Sequence, residues 1–220
     1  LGWLNPERFD IPLHCSGRSA HASTPQTGVN AVTALIATLN RLPLREGQQR
    51  EIIRGLAEKF PFGETDGRSA ALKVQDEKSG ALTLTFSKFA MRDGKISGCI
   101  DIRYPVCVEL EDVVAGLSAA LEQAGVHYGR NMEEKPHIVP EDSEFVQKLL
   151  RVYSDVEGEP GCCIAIGGGT YVHTVDGGVA FGVERGNTDY HMHGNDEFIT
   201  EEELLKDAVL FACAIVDICG

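Results

Sequence analysis

The sequence lacks several features that define common classes of protein. Its 220 residues contain no apolar run of about 20 residues, the length that a membrane-spanning helix requires. Positive charge is scarce, because 20 Lys and Arg residues face 33 Asp and Glu residues, for a formal net charge of −13. Such a charge repels phosphate backbones and anionic lipids, so we expect neither a nucleic-acid partner nor a membrane partner. With 43% hydrophobic and 24% charged residues, the composition is typical of a globular protein.

Regular cysteine spacing is also missing. The seven cysteines are odd in number and include no C-x-x-C pair, which argues against a disulfide framework and against a structural zinc finger. Cys162 and Cys163 lie in an apolar run and are predicted to be small buried side chains. We expect reduced thiols and a cytoplasmic protein. The chain starts at Leu1 without an initiator Met or a signal-peptide apolar region, so we expect a fragment of a longer protein.

The periodicity of the first 125 residues predicts an α+β arrangement. Apolar residues recur at helical spacing in three segments, and two segments alternate apolar and polar residues as strands do. Asp93-Gly94 is a hairpin turn signal between these two strands. The predicted elements are helices over 29–42, 50–60 and 110–124 and antiparallel strands over 82–86 and 96–104. The polar stretch 129–135 is the predicted boundary of this region.

The remainder of the chain predicts part of an α/β layered sheet. Short apolar segments indicate strands, and two longer segments with capping residues indicate helices. Asp142 is the predicted N-cap of the first helix, and Thr200 with Glu203 forms a predicted capping box before the second. The predicted elements are strands over 137–139, 162–166 and 178–182 and helices over 143–156 and 201–219.

The densest group of polar residues lies between positions 189 and 197, in the sequence D-Y-H-M-H-G-N-D-E. It falls in a loop between a predicted strand and a capped helix, where α/β enzymes commonly place their sites. Imidazole is the commonest metal ligand, so His191 and His193 suggest a metal site. Two histidines do not complete a zinc shell, and a solvated acidic loop with two incidental histidines explains the same pattern.

Three further positions carry groups suited to catalysis or binding. His21, in S-A-H-A-S-T-P, precedes a predicted helix and suits donation to an anion, with a surface or capping role as the alternative. Arg103 shares a strand face with Asp101 and suits a bidentate grip on a carboxylate, or a plain surface ion pair. The glycines at 167–169 lack the lysine of a phosphate-binding loop and instead allow close approach of a bulky group.

The order of these motifs resembles that in the dinuclear zinc metallopeptidases, the superfamily of aminoacylase, carboxypeptidase G, succinyl-diaminopimelate desuccinylase and the peptidase V and carnosinase dipeptidases. S-A-H-A-S-T-P followed by G-V-N-A is similar to their lid, or dimerisation, domain, and D-I-R-Y-P at 101–105 looks like a strand of that domain. G-G-G-T-Y at 167–171 and H-G-N-D-E at 193–197 are similar to their G-G-T-Y turn and terminal H-x-x-N-E element. The likeness is greatest to the peptidase V-like dipeptidases.

This resemblance implies a partial lid domain over residues 1–132, with an α+β fold of an antiparallel sheet and helices. It implies that residues 133–220 form the C-terminal part of an α/β zinc-peptidase catalytic domain. The implied activity is hydrolysis of a dipeptide or small peptide with a free C-terminal carboxylate. The lid of this superfamily is also a dimer interface in some members, which makes a homo-oligomer an expectation.

The resemblance also implies roles for individual residues. His21 would stabilise the oxyanion of the tetrahedral intermediate, and Arg103 would bind the C-terminal carboxylate of the substrate. Gly168 would line the substrate pocket, and His193 would be a ligand of one of two zinc ions. These roles fit the chemistry, because zinc lowers the pKa of bound water and a positioned donor stabilises an oxyanion.

Two departures from the family pattern stand out. Val172 and His173 follow G-G-G-T-Y, where family members often have Ala and Arg. The H-x-D metal strand, the bridging Asp and the Glu-Glu pair with the general base match nothing here, so we expect them in a missing N-terminal half. We expect the 220 residues alone to be inactive, with at most a partial zinc site. Two alternatives stay open: a related amidohydrolase for acylated or succinylated amines, and a non-catalytic lid or oligomerisation module.

Overall fold

The computed structural model describes residues 12–93, 95–130, 132–182, 188, 190–192 and 195–220. The chain divides into two compact units, the first extending to Pro136 and the second beginning at His137. This division lies just beyond the polar stretch 129–135. Among the described residues, no helix is long and apolar enough to cross a membrane.

The first unit consists of helices packed on one face of a β-hairpin, as predicted. In chain order its elements are α1 (Ala31–Arg41), α2 (Gln48–Lys59), the short antiparallel strands β1 (Gln75–Asp76) and β2 (Gly80–Ala81), the long antiparallel strands β3 (Thr83–Arg92) and β4 (Lys95–Arg103), and α3 (Leu110–Gln123). The core forms where buried side chains of the hairpin region pack against buried side chains of the helices. The hairpin region contributes Leu82, Leu84 and Phe86, and the helices contribute Ile36, Leu56, Leu117 and Leu121. Burying each large apolar side chain stabilises the fold by roughly 1.5–3 kcal/mol.

Strand alternation gives the long hairpin two different faces. Leu84 lies opposite Ile102, and both pack into the core. The other face, called here the outer face, carries Thr83, Thr85, Asp101 and Arg103, in the register Thr83 opposite Arg103 and Thr85 opposite Asp101. A β-bulge follows Phe86, after which the pairing shifts by one residue. The expected placement of Asp101 and Arg103 on one strand face is therefore confirmed.

The second unit is built around two helices, α4 (Glu144–Glu157) and α5 (Glu201–Cys219). Both were predicted, and the Thr200–Glu203 capping box at the start of α5 is confirmed. The N-cap of α4 is Ser143, whose Oγ accepts the Val146 N–H at 3.3 Å. The prediction of Asp142 was wrong, because the capping side chain must belong to the residue directly before the first helical one. A small core joins the helices through Leu149, Val152, Leu210 and Ala214.

The predicted strands over 137–139, 162–166 and 178–182 are not formed in the structure. Cys162 and Cys163 are exposed rather than buried, and Ile164 is 74% exposed. A strand satisfies its backbone groups only by pairing with another strand, and the described residues of the second unit contain none. Apolar sequence alone therefore did not produce these strands, and the prediction of buried cysteines was wrong.

Candidate functional site

An antiparallel bridge closes the loop that carries His21. The N–H of Arg18 donates to the Val29 carbonyl at 3.0 Å, and the Val29 N–H donates back to the Arg18 carbonyl at 2.9 Å. The Arg18 guanidinium also donates to the carbonyl of Thr27, from Nε at 3.1 Å and from Nη2 at 2.7 Å. A 3₁₀ helix, Pro25–Thr27, lies inside the loop. The ends of the loop are thus held by four hydrogen bonds.

Two glycines permit this closure, because each lies where a side chain would collide with backbone. A Cβ atom on Gly17 would lie 2.4 Å from the carbonyl oxygen of Val29. A Cβ atom on Gly28 would lie 2.7 Å from the carbonyl oxygen of Arg18. Only glycine allows this approach without moving the backbone. Gly17 and Gly28 therefore permit the close backbone approach that closes the loop.

The ring of His21 is exposed, and Ser23 contacts its Nδ1 atom. The backbone N–H of Ser23 donates to His21 Nδ1 at 3.3 Å, and Ser23 Oγ lies 2.7 Å from the same atom. Because Nδ1 accepts a backbone hydrogen bond, the neutral ring carries its proton on Nε2. The contact from the Ser23 N–H thus favours the tautomer with the ring N–H at Nε2, in which that atom is a hydrogen-bond donor.

The loop of His21 is attached to the outer face of the hairpin. Oγ1 of Thr83 donates to the carbonyl oxygen of Ala22 at 2.8 Å, and Thr83 lies directly opposite Arg103. The 3₁₀ helix of the loop also lies against β3. Ala22, next to His21, is therefore bonded to Thr83, the residue opposite Arg103. The loop and the Arg103 side chain consequently lie on the same face of the hairpin.

Arg103 forms an ion pair with Asp101 on this face. Its Nε donates to Oδ1 of Asp101 at 2.9 Å and its Nη2 to Oδ2 at 3.3 Å. The two side chains are 38% and 35% exposed, so the pair contributes at most about 1 kcal/mol to stability. A guanidinium has five N–H donors, and the Nη1 pair takes no part in this contact. Arg103 thus retains an edge that suits a second carboxylate.

Asn30 fixes the end of the loop to the rest of the first unit. Its Oδ1 accepts the N–H groups of Val32 at 2.9 Å and Thr33 at 3.1 Å, which caps α1. Its Nδ2 donates to the carbonyl of Phe86 in β3 at 3.0 Å. Asn30 was not predicted to have a role of its own. Its position directly before a helical segment could have predicted its role as the N-cap of that helix.

The glycine turn at 167–169 belongs to the second unit, and Gly168 is half-buried there. It is followed by a 3₁₀ helix, Tyr171–Thr174, in which His173 Nδ1 accepts the N–H of Thr170 at 3.2 Å. The rings of His173 and His137 are 5.3 Å apart and line a cavity of about 450 Å³.

The predicted zinc ligand His193 lies outside the described residues. His191 is described, and its ring packs edge-on against Phe198 at 5.9 Å. Within the part of the chain that the structure describes, no three His, Cys, Asp or Glu side chains are grouped so that they could hold a metal ion. The described residues by themselves do not fit a zinc centre.

Comparisons with known proteins identify relatives over the whole chain. The Bacillus subtilis protein named "Putative dipeptidase YtjP" is 32% identical over 213 residues, which cover 96% of this chain and 45% of the relative. The "Beta-Ala-Xaa dipeptidase" of Lactobacillus delbrueckii subsp. lactis is 33% identical over 220 residues, covering 98% of this chain and 45% of the relative. The chain thus spans about half the length of the curated relatives it matches.

A family model described as "Peptidase dimerisation domain" matches residues 10–129. This match includes the loop of His21, the hairpin and helices α1 to α3, which are the elements of the first unit. It covers more than half of the chain, and its α+β fold agrees with the one observed. The chain therefore belongs to the M20 peptidase family, whose dimerisation domain forms its first unit.

Proposed function

We propose that this chain is the C-terminal portion of a zinc-dependent dipeptidase. In this proposal residues 1–132 are part of its lid, and residues 133–220 are the end of its catalytic domain. The observation that carries the proposal is the bond between Thr83 and Ala22, which attaches the His21 loop to the face of Arg103. A hydrogen-bond donor and a carboxylate-binding group on one surface suit a peptide with a free C-terminus.

Arg103 would bind the C-terminal carboxylate of the substrate. Asp101 already holds Nε and Nη2 of the guanidinium, which orients the planar group before substrate arrives. The Nη1 edge then offers donors to the substrate, and a bidentate contact selects a free carboxylate over an amide. This preference would make the enzyme an exopeptidase.

His21 would stabilise the developing oxyanion through Nε2–H. The contact of Ser23 with Nδ1 favours the tautomer that this role requires. A preorganised donor acts on the charge that appears only in the transition state, so its removal lowers kcat more than it raises KM.

A bound zinc ion would supply an activated water by lowering its pKa to about 7. Among the residues of this chain, His193 is the proposed ligand and Gly168 the proposed lining of the substrate pocket. The described residues hold no group of three ligands, so the other ligands and the general base are proposed to come from the remainder of the longer protein. The 220 residues alone are then inactive.

The exposed apolar surface of the second unit supports the proposal that the remainder of a longer protein packs against it. Ile164 and Ile166 are 74% and 52% exposed, in a segment that has strand sequence but pairs with no strand among the described residues. One side of α5 is also uncovered, with exposed Leu205, Val209, Ile215 and Val216. Such surfaces are normally buried in an interface or a larger core. We propose that the remaining half of the longer protein buries these apolar residues.

The relatives and Arg103 support a dipeptide as the proposed substrate. One relative is named as a β-Ala-Xaa dipeptidase, and a dipeptide places its carboxylate a short distance from the scissile bond. The dimerisation-domain match also supports a homo-oligomer, formed through the first unit.

Two substitutions in the full-length protein test this function. His21→Ala should lower kcat on dipeptides by roughly 10²–10³. Arg103→Gln should raise KM at least tenfold for dipeptides and have little effect on dipeptide amides. Matched controls are His127→Ala and Arg92→Gln, two exposed residues of the same unit, which should leave both constants unchanged. Preference for acylated amino acids over dipeptides would favour the amidohydrolase alternative, and no turnover with zinc would favour the non-catalytic one.

A further inference from the structure

One hydroxyl group on the outer face of the hairpin is buried without a hydrogen-bond partner. It is Oγ1 of Thr85, which lies directly opposite Asp101 in the strand register. The neighbouring Thr83 differs, because its hydroxyl is bonded to Ala22. An unsatisfied buried hydroxyl is costly unless another state of the molecule uses it.

We infer that Thr85 is a positioning residue, whose hydroxyl holds the carboxylate of Asp101 while Asp101 holds the guanidinium of Arg103 for the substrate. The inference rests on the proposed role of Arg103. Directly opposed residues of an antiparallel pair have Cβ atoms about 4.5–5.5 Å apart. Asp101 is not bonded to Thr85 in the structure. At this separation, rotation about the χ1 bond of Thr85 would bring its O–H to the carboxylate without a change of strand register.

This contact does not require the existing ion pair to break. Each carboxylate oxygen can accept more than one hydrogen bond, so Asp101 has the capacity to accept from Thr85 while it accepts from Arg103. The Asp101–Arg103 pair is more than a third exposed on both sides and is weakly held by itself. A third bond from a buried group restrains the carboxylate, which lowers the entropy lost when substrate binds to Arg103.

Hydrogen exchange at Arg103 tests the contact in the 220-residue chain, without any need for activity. Thr85→Val keeps the shape of the side chain and removes the hydroxyl, whereas Thr85→Ser keeps the hydroxyl. The exchange rate of the Arg103 Nε–H, followed by NMR, should rise roughly threefold or more in the valine variant and stay near wild type in the serine variant. Ser87→Ala is the control. Ser87 lies in β3 like Thr85, and its substitution removes a hydroxyl that donates to the Cys99 carbonyl of β4.

A purely structural role gives the opposite result. Replacing an unsatisfied hydroxyl by a methyl group then stabilises the protein and leaves the exchange of the Arg103 Nε–H unchanged. That outcome overturns the inference. An equal rise in both Thr85 variants overturns it too, since the serine hydroxyl should preserve the contact.

Kinetics of the full-length protein separate this inference from the proposed function. Thr85→Val should raise KM for a dipeptide by roughly three- to tenfold with little change in kcat, and Thr85→Ser should restore it. The dipeptide amide should show no difference. If Arg103→Gln leaves KM unchanged, the proposed role of Arg103 is wrong, while the exchange measurement still decides the Thr85–Asp101 contact. If Arg103 matters and Thr85→Val does not, only the inference fails.

Discussion

Asn30 joins helix α1 to strand β3 through Phe86. Its Nδ2 donates to the Phe86 carbonyl at 3.0 Å, while its Oδ1 caps α1. The residue follows directly on Gly28 and Val29, where the loop of His21 closes. One amide side chain therefore fixes the helix, the strand and the end of the His21 loop relative to each other.

Two substitutions at Asn30 should separate these functions. Asn30→Ala removes the cap and the link to Phe86, and should lower the free energy of unfolding by about 2–3 kcal/mol. Asn30→Asp keeps the capping oxygen and loses the donor to Phe86, so it should cost about 1–2 kcal/mol. Urea unfolding of the 220-residue chain measures both. An aspartate variant as stable as wild type would show that the link to Phe86 contributes nothing.

The two loop glycines should tolerate no side chain. Gly17→Ala and Gly28→Ala each place a Cβ atom within 2.7 Å of backbone oxygen, and we expect a loss of about 1–3 kcal/mol from each. Gly129→Ala is the matched control, because a Cβ atom there would meet nothing within 4 Å. It should change stability by less than about 0.5 kcal/mol. Equal effects of all three in thermal unfolding would contradict the steric argument.

The bond from Thr83 to Ala22 should matter for catalysis more than for folding. Thr83→Val leaves the Ala22 carbonyl without its donor and releases the loop from the hairpin. In the full-length protein we expect kcat to fall about tenfold with little change in KM, because a misplaced His21 would lose the transition-state contact proposed for it. Thr38→Val, which removes a hydroxyl bonded within α1, is the control. An unchanged kcat in the Thr83 variant would argue against loop positioning by this bond.

A side-chain cluster near the boundary of the units should show a shifted tyrosine titration. The hydrogen bond from Tyr128 to Glu133, together with burial and the negative charge of Glu133, raises the pKa of the Tyr128 phenol above 10.0. The neutral phenol is thus favoured in the folded state, so this stabilisation is present below pH 10.0 and is lost as the pH rises through the raised value.

Glu133→Gln tests this coupling. Removal of the charge should move the pKa of Tyr128 back down toward its ordinary value, and NMR titration of the tyrosine rings measures the shift. Tyr104 is a useful internal reference, because burial is the first cause of its raised pKa and Glu133 is only a minor one. A Tyr128 titration that does not move in the variant would exclude the bond to Glu133 as its cause.

Cysteine reactivity should report whether the remaining half of the longer protein covers the second unit. Cys162, Cys163 and Cys213 are exposed in this chain and should be open to alkylation, with Cys163 slower because burial raises the pKa of its thiol. In the full-length protein we expect their alkylation to be at least tenfold slower, because the apolar segments around them become buried. Cys107, an exposed cysteine of the first unit, should react equally in both. Unchanged rates at Cys162 and Cys163 would contradict the proposed cover.

Local sequence patterns predicted the helices and the hairpin because each of these elements satisfies its backbone within a short segment. They failed at 162–166, where a strand needs a neighbour that periodicity does not supply. They also gave no indication of the two bonds that build the candidate site. Thr83 and Ala22 are 61 positions apart, and Asn30 and Phe86 are 56 apart.

The sequence by itself determined which residue types are available: a histidine in a loop before a helix, and an Asp-Ile-Arg strand with its charged side chains on one face. Periodicity and turn chemistry are local properties, so they fix such features without knowledge of the fold. Only the tertiary structure decided that the histidine loop attaches to the strand opposite Arg103, and that Asn30 bonds to Phe86. Contacts between distant segments depend on how helices pack against the sheet, and no local pattern encodes that packing.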